Sequence, residues 1–262
     1  MAGGGTKSGG ARSRLDIAVV ERGLAASREK AQALILAGQV KVDGQRADKP
    51  GRMVAGASRV EVERAQRYVS RGGLKLEAAL ENFGVSVRGR VCLDVGTSTG
   101  GFTDCLLQHG AARVHAVDTG AGQIDWKLRT DSRVILHERV NARYLEEAEL
   151  GERVDVIACD VSFISLTLLI PALAKLLADG GDWILLIKPQ FEVGRELVGK
   201  GGIVRDAAAH RMACEKVTGA LGSAGFAVEL MESPITGAEG NREFLAHGRR
   251  RGDSERIAGQ EP

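Results

Sequence analysis

The sequence predicts a doubly wound α/β domain, with a mostly parallel open sheet, preceded by a small α+β domain. From Arg90 onward, buried strands, glycine turns and helices alternate, which is the pattern of a parallel sheet with helices on both faces. Residues 14–62 differ, because two helices are followed there by short strands. The length of 262 residues accommodates one large domain and one small domain.

The small domain is predicted element by element from its apolar spacing and its turn residues. Apolar residues recur at helical spacing over residues 15–23, and a glycine ends that helix. Ser27 is a favourable N-cap for a second helix over residues 28–36. Residues 40–46 predict a hairpin around an Asp-Gly turn, and residues 59–62 predict a further strand.

The large domain begins with a helix predicted over residues 68–83 and continues as alternating strands and helices. The strands are expected at 91–95, 114–118, 134–137, 154–160, 183–188, 226–233 and 244–247. The helices between them are expected at 102–108, 166–177 and 207–220. The last two strands follow each other without a crossover helix, so we expect them to be antiparallel.

These patterns divide the chain into five segments. They are a disordered tail at 1–13, a small α+β domain at 14–62, a linker at 63–70, a large domain at 71–248 and a second disordered tail at 249–262. The tails are rich in glycine or charge and lack apolar periodicity.

The charge distribution indicates a polyanion-binding module at the front of the chain. The apolar share of 44% and the charged share of 27% are ordinary for a globular protein. Residues 1–60 contain 11 Lys or Arg and 5 Asp or Glu, a net charge of +6, whereas the other 202 residues carry −4. Such a basic segment suggests a nucleic-acid partner. A solvated basic face without a partner is the open alternative.

Composition also argues against several protein classes. The four cysteines are scattered without paired spacing, so neither a disulfide framework nor a zinc site is expected. The five histidines show no metal-ligand spacing either, and we expect no metal. No secretory signal is evident, and no apolar run approaches the roughly 20 residues that a membrane span needs. We therefore expect a cytoplasmic protein without stable membrane association.

A glycine-rich loop follows the first strand of the large domain and opens a helix. Its glycines allow a ligand to approach the backbone closely. Asp118 ends the next strand, where an acid can accept the ribose hydroxyls of a nucleoside. A dinucleotide and S-adenosylmethionine both fit this pattern. Ser98 replaces the glycine that a pyrophosphate requires, whereas the cationic end of S-adenosylmethionine suits Asp94. The candidate cofactor residues here are Asp94, Gly96, Ser98, Thr99, Gly100, Gly101, Phe102 and Asp118.

Four charged residues form the candidate catalytic set: Lys75, Asp160, Lys188 and Glu243. Asp160 and Lys188 each close a buried strand, where open α/β sheets place their functional groups. Brought into one cleft, such a set could take a proton from a weakly acidic hydroxyl, which points to methyl transfer onto a ribose. Taken singly, three of them have simpler explanations as a solvated helix face, a helix cap or a surface charge.

The front segment resembles the small RNA-binding domain named after ribosomal small-subunit protein four. The resemblance rests on Arg14-Leu15-Asp16, on Ser27-Arg28-Glu29-Lys30-Ala31 and on Gly38-Gln39-Val40-Lys41-Val42-Asp43-Gly44. It implies a face that contacts RNA phosphates through Arg14, Arg28, Lys30, Lys41 and Arg46. Such contacts position a protein without reading base sequence.

Residues 14–248 as a whole resemble the TlyA family, which joins that domain to a Rossmann-like class I methyltransferase domain of the FtsJ type. The matching segments are 68–76, 93–104, 160–166, 187–192 and 240–244. The resemblance implies S-adenosylmethionine-dependent 2′-O-methylation of ribosomal RNA or ribosomal subunits, usually at cytidine. Residues 138–143 are similar to the family's stretch near the adenine, which implies a cofactor contact by Asn141.

The implied division of labour places Lys188 nearest the reacting hydroxyl. Asp160 would orient Lys188 and face the donor methyl, Lys75 would hold the ribose, and Glu243 would position one of the lysines. A free lysine side chain is protonated at neutral pH. Lys188 is therefore either a base activated by desolvation and by Lys75, or a cation that stabilises the developing alkoxide. The sequence leaves both roles open.

Three other functions are compatible with parts of the sequence. A dinucleotide-dependent oxidoreductase would use the glycine loop, although Ser98 argues against it. A catalytically silent RNA-binding assembly factor would use only the front domain. A membrane-active haemolysin is the third, since proteins similar to the TlyA family are often labelled haemolysins. No strongly amphipathic membrane helix in the sequence supports pore formation.

Overall fold

A computed structural model describes residues 12–62 and 67–250 of the chain. The chain divides into two compact units, residues 1–66 and residues 67–262, and each is described by itself below. The predicted tails at 1–13 and 249–262 and the predicted linker at 63–70 fall largely outside the described residues.

The described part of the first unit, residues 12–62, contains two helices and five short strands. In chain order they are β1 (Ser13–Arg14), α1 (Leu15–Glu21), α2 (Arg28–Leu36), β2 (Val40–Val42), β3 (Gln45–Ala47), β4 (Met53–Val54) and β5 (Val60–Val62). Strand β2 lies between β3 and β5 in an antiparallel sheet, and β1 pairs with β4. The sequence patterns did not predict β1 and β4, which are only two residues long each.

Local chemistry explains the predicted elements of this unit. The Ser27 side chain accepts a hydrogen bond from the Lys30 backbone N–H at 3.3 Å, so it caps α2 as expected. Asp43 and Gly44 have φ angles of 51° and 80°. Two consecutive positive φ angles are typical of the tight hairpin turn that joins β2 to β3. The predicted hairpin is therefore confirmed.

The second unit is a single α/β domain. Its helices are α3 (Gly72–Asn82), α4 (Gly101–Gln108), α5 (Trp126–Arg129), α6 (Glu147–Leu150), α7 (Ile170–Leu173), α8 (Pro189–Glu192) and α9 (Ala207–Ser223). Its strands are β6 (Val91–Val95), β7 (Arg113–Asp118), β8 (Val134–Glu138), β9 (Val154–Cys159), β10 (Leu177–Ile187), β11 (Phe226–Glu232) and β12 (Phe244–Arg250). Short 3₁₀ turns occupy residues 142–144, 166–168, 195–197 and 200–202.

The seven strands form one sheet in the order β11-β12-β10-β9-β6-β7-β8. The pairs from β8 to β10 are parallel, while β12 is antiparallel to both β10 and β11. Two apolar clusters include residues of the sheet, one containing Trp183 and Phe226 and the other containing Leu76 and Phe102. The predicted doubly wound sheet and its antiparallel last strands are confirmed.

The carboxyl ends of the parallel strands gather at one edge of this sheet, which we call the functional edge. The chain order reverses there between β6 and β9, and ligands bind at such switch points in open α/β sheets. Because β12 runs in the opposite direction, its first residue, Phe244, pairs with Ile187 at the end of β10. Glu243 is therefore brought to the functional edge as well.

The segment after β9 differs from its prediction. A single helix was expected over residues 166–177, but a 3₁₀ turn at 166–168 is followed by the short helix α7, and β10 already begins at Leu177. Pro171 lies in the first turn of α7, where its missing N–H is harmless. Leu177 pairs with Val154, so sheet pairing prevails over helical periodicity at this position.

The domain boundaries also shift slightly at both ends of the second unit. Tyr68, in the predicted linker, is 2% exposed and belongs to an apolar cluster of this unit. The Val69 N–H donates to Asp104 at 2.9 Å. At the other end β12 extends to Arg250, two residues past the predicted limit of 248.

Candidate active site

Two adjoining clefts open at the functional edge of the second unit. The first, of about 350 Å³, lies over the ends of β6, β7 and β9 and includes Asp118 and Asn141 in its wall. The second, of about 290 Å³, extends towards α3 and the start of β12. Gly96, Ser98 and Asp160 line both clefts, so a ligand in one lies beside a ligand in the other.

All four predicted catalytic residues line the second cleft. Lys75 comes from α3, Asp160 follows β9, Lys188 follows β10, and Glu243 precedes β12. They are widely separated in the chain, and the sheet topology, together with the packing of α3 against α4 and β12, brings them together. The structure therefore places the predicted set around one space.

The four side chains form two ion pairs. Lys75 Nζ lies 2.5 Å from Glu243 Oε2, and both side chains are buried, at 10% and 3% exposed. Lys188 Nζ lies 2.6 Å from Asp160 Oδ1, with exposures of 13% and 22%. Two cations and two carboxylates in one cleft largely offset each other, which lowers the cost of burying these charges.

Ser162 adds a third group to the Lys188 pair. Its hydroxyl accepts a hydrogen bond from Lys188 Nζ at 2.9 Å, and it lines both clefts. An ammonium group has three donors. Ser162 accepts from one of them and Asp160 forms the ion pair, so Nζ retains donor capacity for a substrate oxygen.

Asp118 organises the glycine-rich loop. Its Oδ2 accepts from the Ser98 N–H and its Oδ1 from the Gly120 N–H, both at 2.7 Å. A carboxylate offers about four acceptor positions, so these bonds leave room for ligand hydroxyls. Ser98 itself has a φ of 50°, an uncommon value for a serine.

Residue 96 must be a glycine because it lies against the loop that follows β9 and carries Asp160. A Cβ built at Gly96 would lie 2.4 Å from the Asp160 carbonyl oxygen, and the φ of Gly96 is +85°. A side chain here would push Asp160 away or fill the junction of the two clefts. The loop therefore passes closely over Gly96, and no side chain separates them.

The other predicted cofactor residues have different positions. Asn141 lines the first cleft, and Thr99, Gly101 and Phe102 line the second. Gly100 lines neither cleft; a Cβ there would meet Leu128 at 2.3 Å, so its role is to allow helix packing.

Asp94 is placed beneath the loop and lines neither cleft. It is 0% exposed, and its Oδ2 accepts from the Thr103 N–H at 2.9 Å and from the Thr103 hydroxyl at 2.6 Å. Burial raises the pKa of Asp94 to about 7; the bonds from Thr103 oppose this shift, and the Asp160 carboxylate adds to it. Its position favours a support role for the start of α4.

Phe163 lies at the rim of the first cleft, close to the junction. Its ring is 91% exposed, and its φ is +65°, which is unusual for a bulky residue. The ring centroid lies 5.1 Å from that of Phe191. An aromatic face presented to solvent beside an active cleft can stack on a planar ligand.

Of the five predicted RNA-binding residues of the first unit, four form two pairs and the fifth, Lys30, lies apart. Arg14 and Arg28 both bond to Asp16, which is 0% exposed, at 3.1 Å and 2.9 Å. The Arg14 guanidinium above all, together with Gln32 and Arg28, holds the pKa of Asp16 well below its usual range despite burial. The two arginines are thus held in fixed positions while 43% and 51% exposed.

Lys41 and Arg46 form the second group, and Lys30 stands apart from both. Lys41 and Arg46 are directly opposite each other across the hairpin, so they lie on one face of the sheet. Arg46 also donates to the Ala37 carbonyl oxygen at 3.0 Å. Lys30 is exposed on α2.

Two residues of this site were missed in the sequence. Ser162 and Phe163 lie within the segment 160–166 that carried the resemblance, and both follow a strand end directly. That location was the available signal. The hydroxyl contact with Lys188 and the exposure of the ring depend on the path of the loop, which apolar spacing does not define.

Within residues 12–62 and 67–250, no group of three or more His, Cys, Asp or Glu side chains has the arrangement of a metal site. Across the same ranges, no helix is both long and apolar enough to cross a membrane.

Comparison with known protein families assigns both units. Residues 68–250 match the FtsJ-like methyltransferase model, and residues 13–60 match the S4 domain model. The chain is 45% identical over 237 residues to the 16S/23S rRNA (cytidine-2′-O)-methyltransferase TlyA of Mycobacterium tuberculosis, covering 89% of this chain and 88% of that protein.

Two further relatives carry a different name. Hemolysin A of Brachyspira hyodysenteriae is 44% identical over 236 residues, which cover 89% of this chain and 98% of that protein. The solved structure of a hemolysin-named protein from Streptococcus thermophilus has a TM-score of 0.70 and 46% identity, covering 91% of this chain and 88% of that one. The fold, the clefts and these matches together show that the chain belongs to the TlyA family of FtsJ-like methyltransferases.

Proposed function

We propose that this enzyme transfers the methyl group of S-adenosylmethionine to the 2′-hydroxyl of a cytidine ribose in ribosomal RNA. The observation that supports the proposal most strongly is that one cleft, the second, is lined by Lys75, Asp160, Lys188 and Glu243. This cleft adjoins the first cleft at Gly96. The name of the Mycobacterium tuberculosis relative supports the choice of substrate.

The first cleft fits an adenosine-containing cofactor. Its volume of about 350 Å³ is within the range of small-molecule sites, and apolar side chains such as Leu169 form part of its wall. The Asp118 carboxylate suits the ribose hydroxyls, and Asn141 lies in the same wall. We assign Gly96, Ser98, Asp118 and Asn141 to S-adenosylmethionine, which when bound supplies a methyl group on a positively charged sulfur.

The catalytic residues act on the acceptor hydroxyl. A ribose hydroxyl is a poor nucleophile at neutral pH, so its developing negative charge needs stabilisation. Lys188 Nζ retains donor capacity for the substrate, while the ion pair with Asp160 and the hydrogen bond to Ser162 keep it oriented. We propose that Nζ faces the 2′-oxygen and that Asp160 and Ser162 fix its direction. A group held in this way stabilises charge without having to reorganise during the reaction.

The second ion pair positions the acceptor. Lys75 and Glu243 are more deeply buried than Lys188 and Asp160 and form the far wall of the second cleft. We propose that Lys75 holds the ribose and that Glu243 holds Lys75. Alignment of the hydroxyl with the methyl group then contributes much of the rate acceleration.

The RNA is held through two further features. We propose that Arg14, Arg28, Lys30, Lys41 and Arg46 of the S4 domain contact phosphates. The exposed Phe163 ring, at the rim of the first cleft, offers a face on which the target base can stack. Because the substrate is ribosomal RNA or a ribosomal subunit, we also propose that the protein works in the cytoplasm.

The proposal predicts the outcome of one substitution with a matched control. Lys188→Met keeps the aliphatic stem of the side chain and removes the charge, and we expect transfer of a radiolabelled methyl group to ribosomal subunits to fall about 10³-fold or more. RNA binding and cofactor binding should be retained. The control, Lys175→Met, changes an exposed lysine outside both clefts and should leave the rate unchanged. Normal turnover by Lys188→Met would rule out this role for Lys188.

A further inference from the structure

A buried carboxylate, Glu192, joins the two loops that carry Asp160 and Lys188. It lies in α8, four residues after Lys188, and its side chain is 1% exposed. It lines neither cleft. We infer that Glu192 is a positioning residue for methyl transfer, which fixes the segment 160–166 against the segment that begins with Lys188. The inference rests on the proposed function for its effect on the reaction, but not for its effect on the loop.

Each carboxylate oxygen of Glu192 contacts the segment after β9. Oε1 accepts from the Leu166 N–H at 2.7 Å, and Oε2 accepts from the Ser165 hydroxyl at 2.6 Å. These bonds clamp the end of the segment that begins at Asp160. Leu166 is itself 2% exposed in an apolar cluster, so the clamp is attached to a packed part of the domain.

Lys216 secures Glu192 from the opposite side. Its Nζ lies 3.2 Å from Glu192 Oε2 and donates to the Glu192 backbone carbonyl at 2.8 Å. Lys216 belongs to α9, the longest helix of the described residues. Glu192 therefore has a neutralising cation and fixed donors, which is the condition for stable burial of a charge.

Only a few residues separate this clamp from the catalytic groups. Ser162 and Phe163 lie between Asp160 and Ser165, and each contacts the Lys188 segment: Ser162 through Lys188 Nζ, and Phe163 through the Phe191 ring. Those two contacts involve exposed side chains of the segment. The Glu192 carboxylate is itself buried, and so is its bond from the Leu166 N–H, so we expect the Glu192 bonds to determine where the segment lies.

This position matters because methyl transfer depends on alignment. Misplacement of a reacting group by roughly 1 Å can cost about 10²-fold in rate. Loosening of the segment 160–166 would shift Asp160 and Ser162, and with them the Lys188 Nζ. Glu192 itself touches neither cleft, but residues 160–164 of the segment line the first cleft, so its loss should lower kcat more than it weakens the binding of cofactor and RNA.

The test combines three substitutions with one control. Glu192→Gln keeps the size of the side chain and removes its charge. Ser165→Ala removes the hydroxyl bond to Glu192, together with the contacts of that hydroxyl with the Thr167 N–H and hydroxyl, and leaves Glu192 paired with Lys216 and Leu166. Ser165→Thr keeps a hydroxyl. The control, Glu215→Gln, changes an exposed carboxylate on α9 that makes no side-chain bond in the structure.

Two readouts separate the inference from the proposed function. Hydrogen exchange of residues 161–169, measured without RNA, should speed up about tenfold or more in Glu192→Gln and less in Ser165→Ala. With ribosomal subunits, kcat should fall roughly 10- to 100-fold in Glu192→Gln, with clearly smaller changes in KM and in cofactor Kd. Ser165→Thr should recover most of the rate lost in Ser165→Ala, and Glu215→Gln should match wild type.

Several results would overturn the inference. Unchanged hydrogen exchange in Glu192→Gln would do so whether or not the wild-type protein is active on ribosomal RNA. A wild-type protein that is inactive on ribosomal RNA, with faster exchange in Glu192→Gln, would refute only the proposed function. A wild-type kcat in Glu192→Gln, or a loss of rate matched by an equal loss of substrate binding, would also contradict it. If Glu192→Gln does not fold, Ser165→Ala decides, and wild-type exchange and kcat in that variant would refute the inference.

Discussion

At the scale of single residues, Asp94 is a buried acid whose surroundings oppose its negative charge. Its Oδ1 has no hydrogen-bond partner within the described residues, while its Oδ2 is bonded to Thr103. Burial raises its pKa to about 7, well above the ordinary value of 3.8. The folded protein therefore binds a proton at Asp94 more tightly than the unfolded chain does.

This difference predicts a pH dependence of stability. Between about pH 4 and about pH 7 the folded state holds a proton that the unfolded state has lost, so the free energy of unfolding falls as pH rises through this window. Asp94→Asn resembles the protonated acid and does not titrate. We expect its Tm, relative to that of wild type, to rise from about pH 4 to about pH 7 and then to level off, as measured by thermal unfolding. Parallel Tm curves for the two proteins would contradict the assignment.

The catalytic residues show which part of a site a sequence can specify. Asp160 and Lys188 were predicted from their position after apolar strands, which is a local signal. Lys75 and Glu243 had no such signal, because their partnership joins residues 168 positions apart in the chain. Ser162 and Glu192 were missed although each follows a strand end. Their contacts depend on how two strand-end loops pack, and no periodicity of the chain records that.

At the scale of elements, the turn between β6 and α4 joins the two clefts. Gly96 has a φ of +85°, and a side chain there would collide with the Asp160 carbonyl oxygen. The turn therefore determines the shape of the cofactor cleft at Gly96 and the position of the loop that carries Asp160.

A matched pair of glycine substitutions tests the role of this turn. Gly96→Ala combines backbone strain with a clash, so we expect cofactor affinity to fall about tenfold or more by calorimetric titration. Gly225→Ala places a similar strain, at φ +92°, before β11 at the opposite edge, where nothing lies within 4 Å. It should lower Tm and leave cofactor affinity intact. Equal cofactor affinities for the two variants would show that the close contact of residue 96 with Asp160 does not matter for cofactor binding.

The elements themselves were predictable to different degrees. Helix α2, its Ser27 cap and the hairpin were expected because capping and turn chemistry act within a few residues. The segment 166–177 was predicted wrongly as one helix, because its apolar residues suit either a helix or a buried strand. Pairing of Leu177 with Val154, a tertiary contact, decides between these alternatives.

At the scale of the whole molecule, the division of labour between the two units follows their charge. Residues 1–60 carry a net charge of +6 and the other 202 residues carry −4. Both clefts lie entirely within the second unit. We therefore propose that the first unit contacts phosphates and that the second unit transfers the methyl group.

Removal of residues 1–62 should separate the two tasks. We expect RNA affinity to fall about tenfold or more and to become less sensitive to salt, because fewer phosphates are neutralised. Cofactor affinity should stay close to that of the full chain. Binding titrations over a range of salt concentrations measure both effects. An unchanged RNA affinity would show that the S4 domain is not the RNA anchor.

The central claim is that the chain methylates a ribose hydroxyl of ribosomal RNA, and mapping of the modified nucleotide tests it most directly. Naked ribosomal RNA, separate subunits and whole ribosomes would be incubated with S-adenosylmethionine and analysed by mass spectrometry, with Lys188→Met as the inactive control. We expect one added methyl group on the ribose of a cytidine, absent with the control. Methylation of a base, or no modification of any of these substrates by a protein that binds S-adenosylmethionine, would contradict the account.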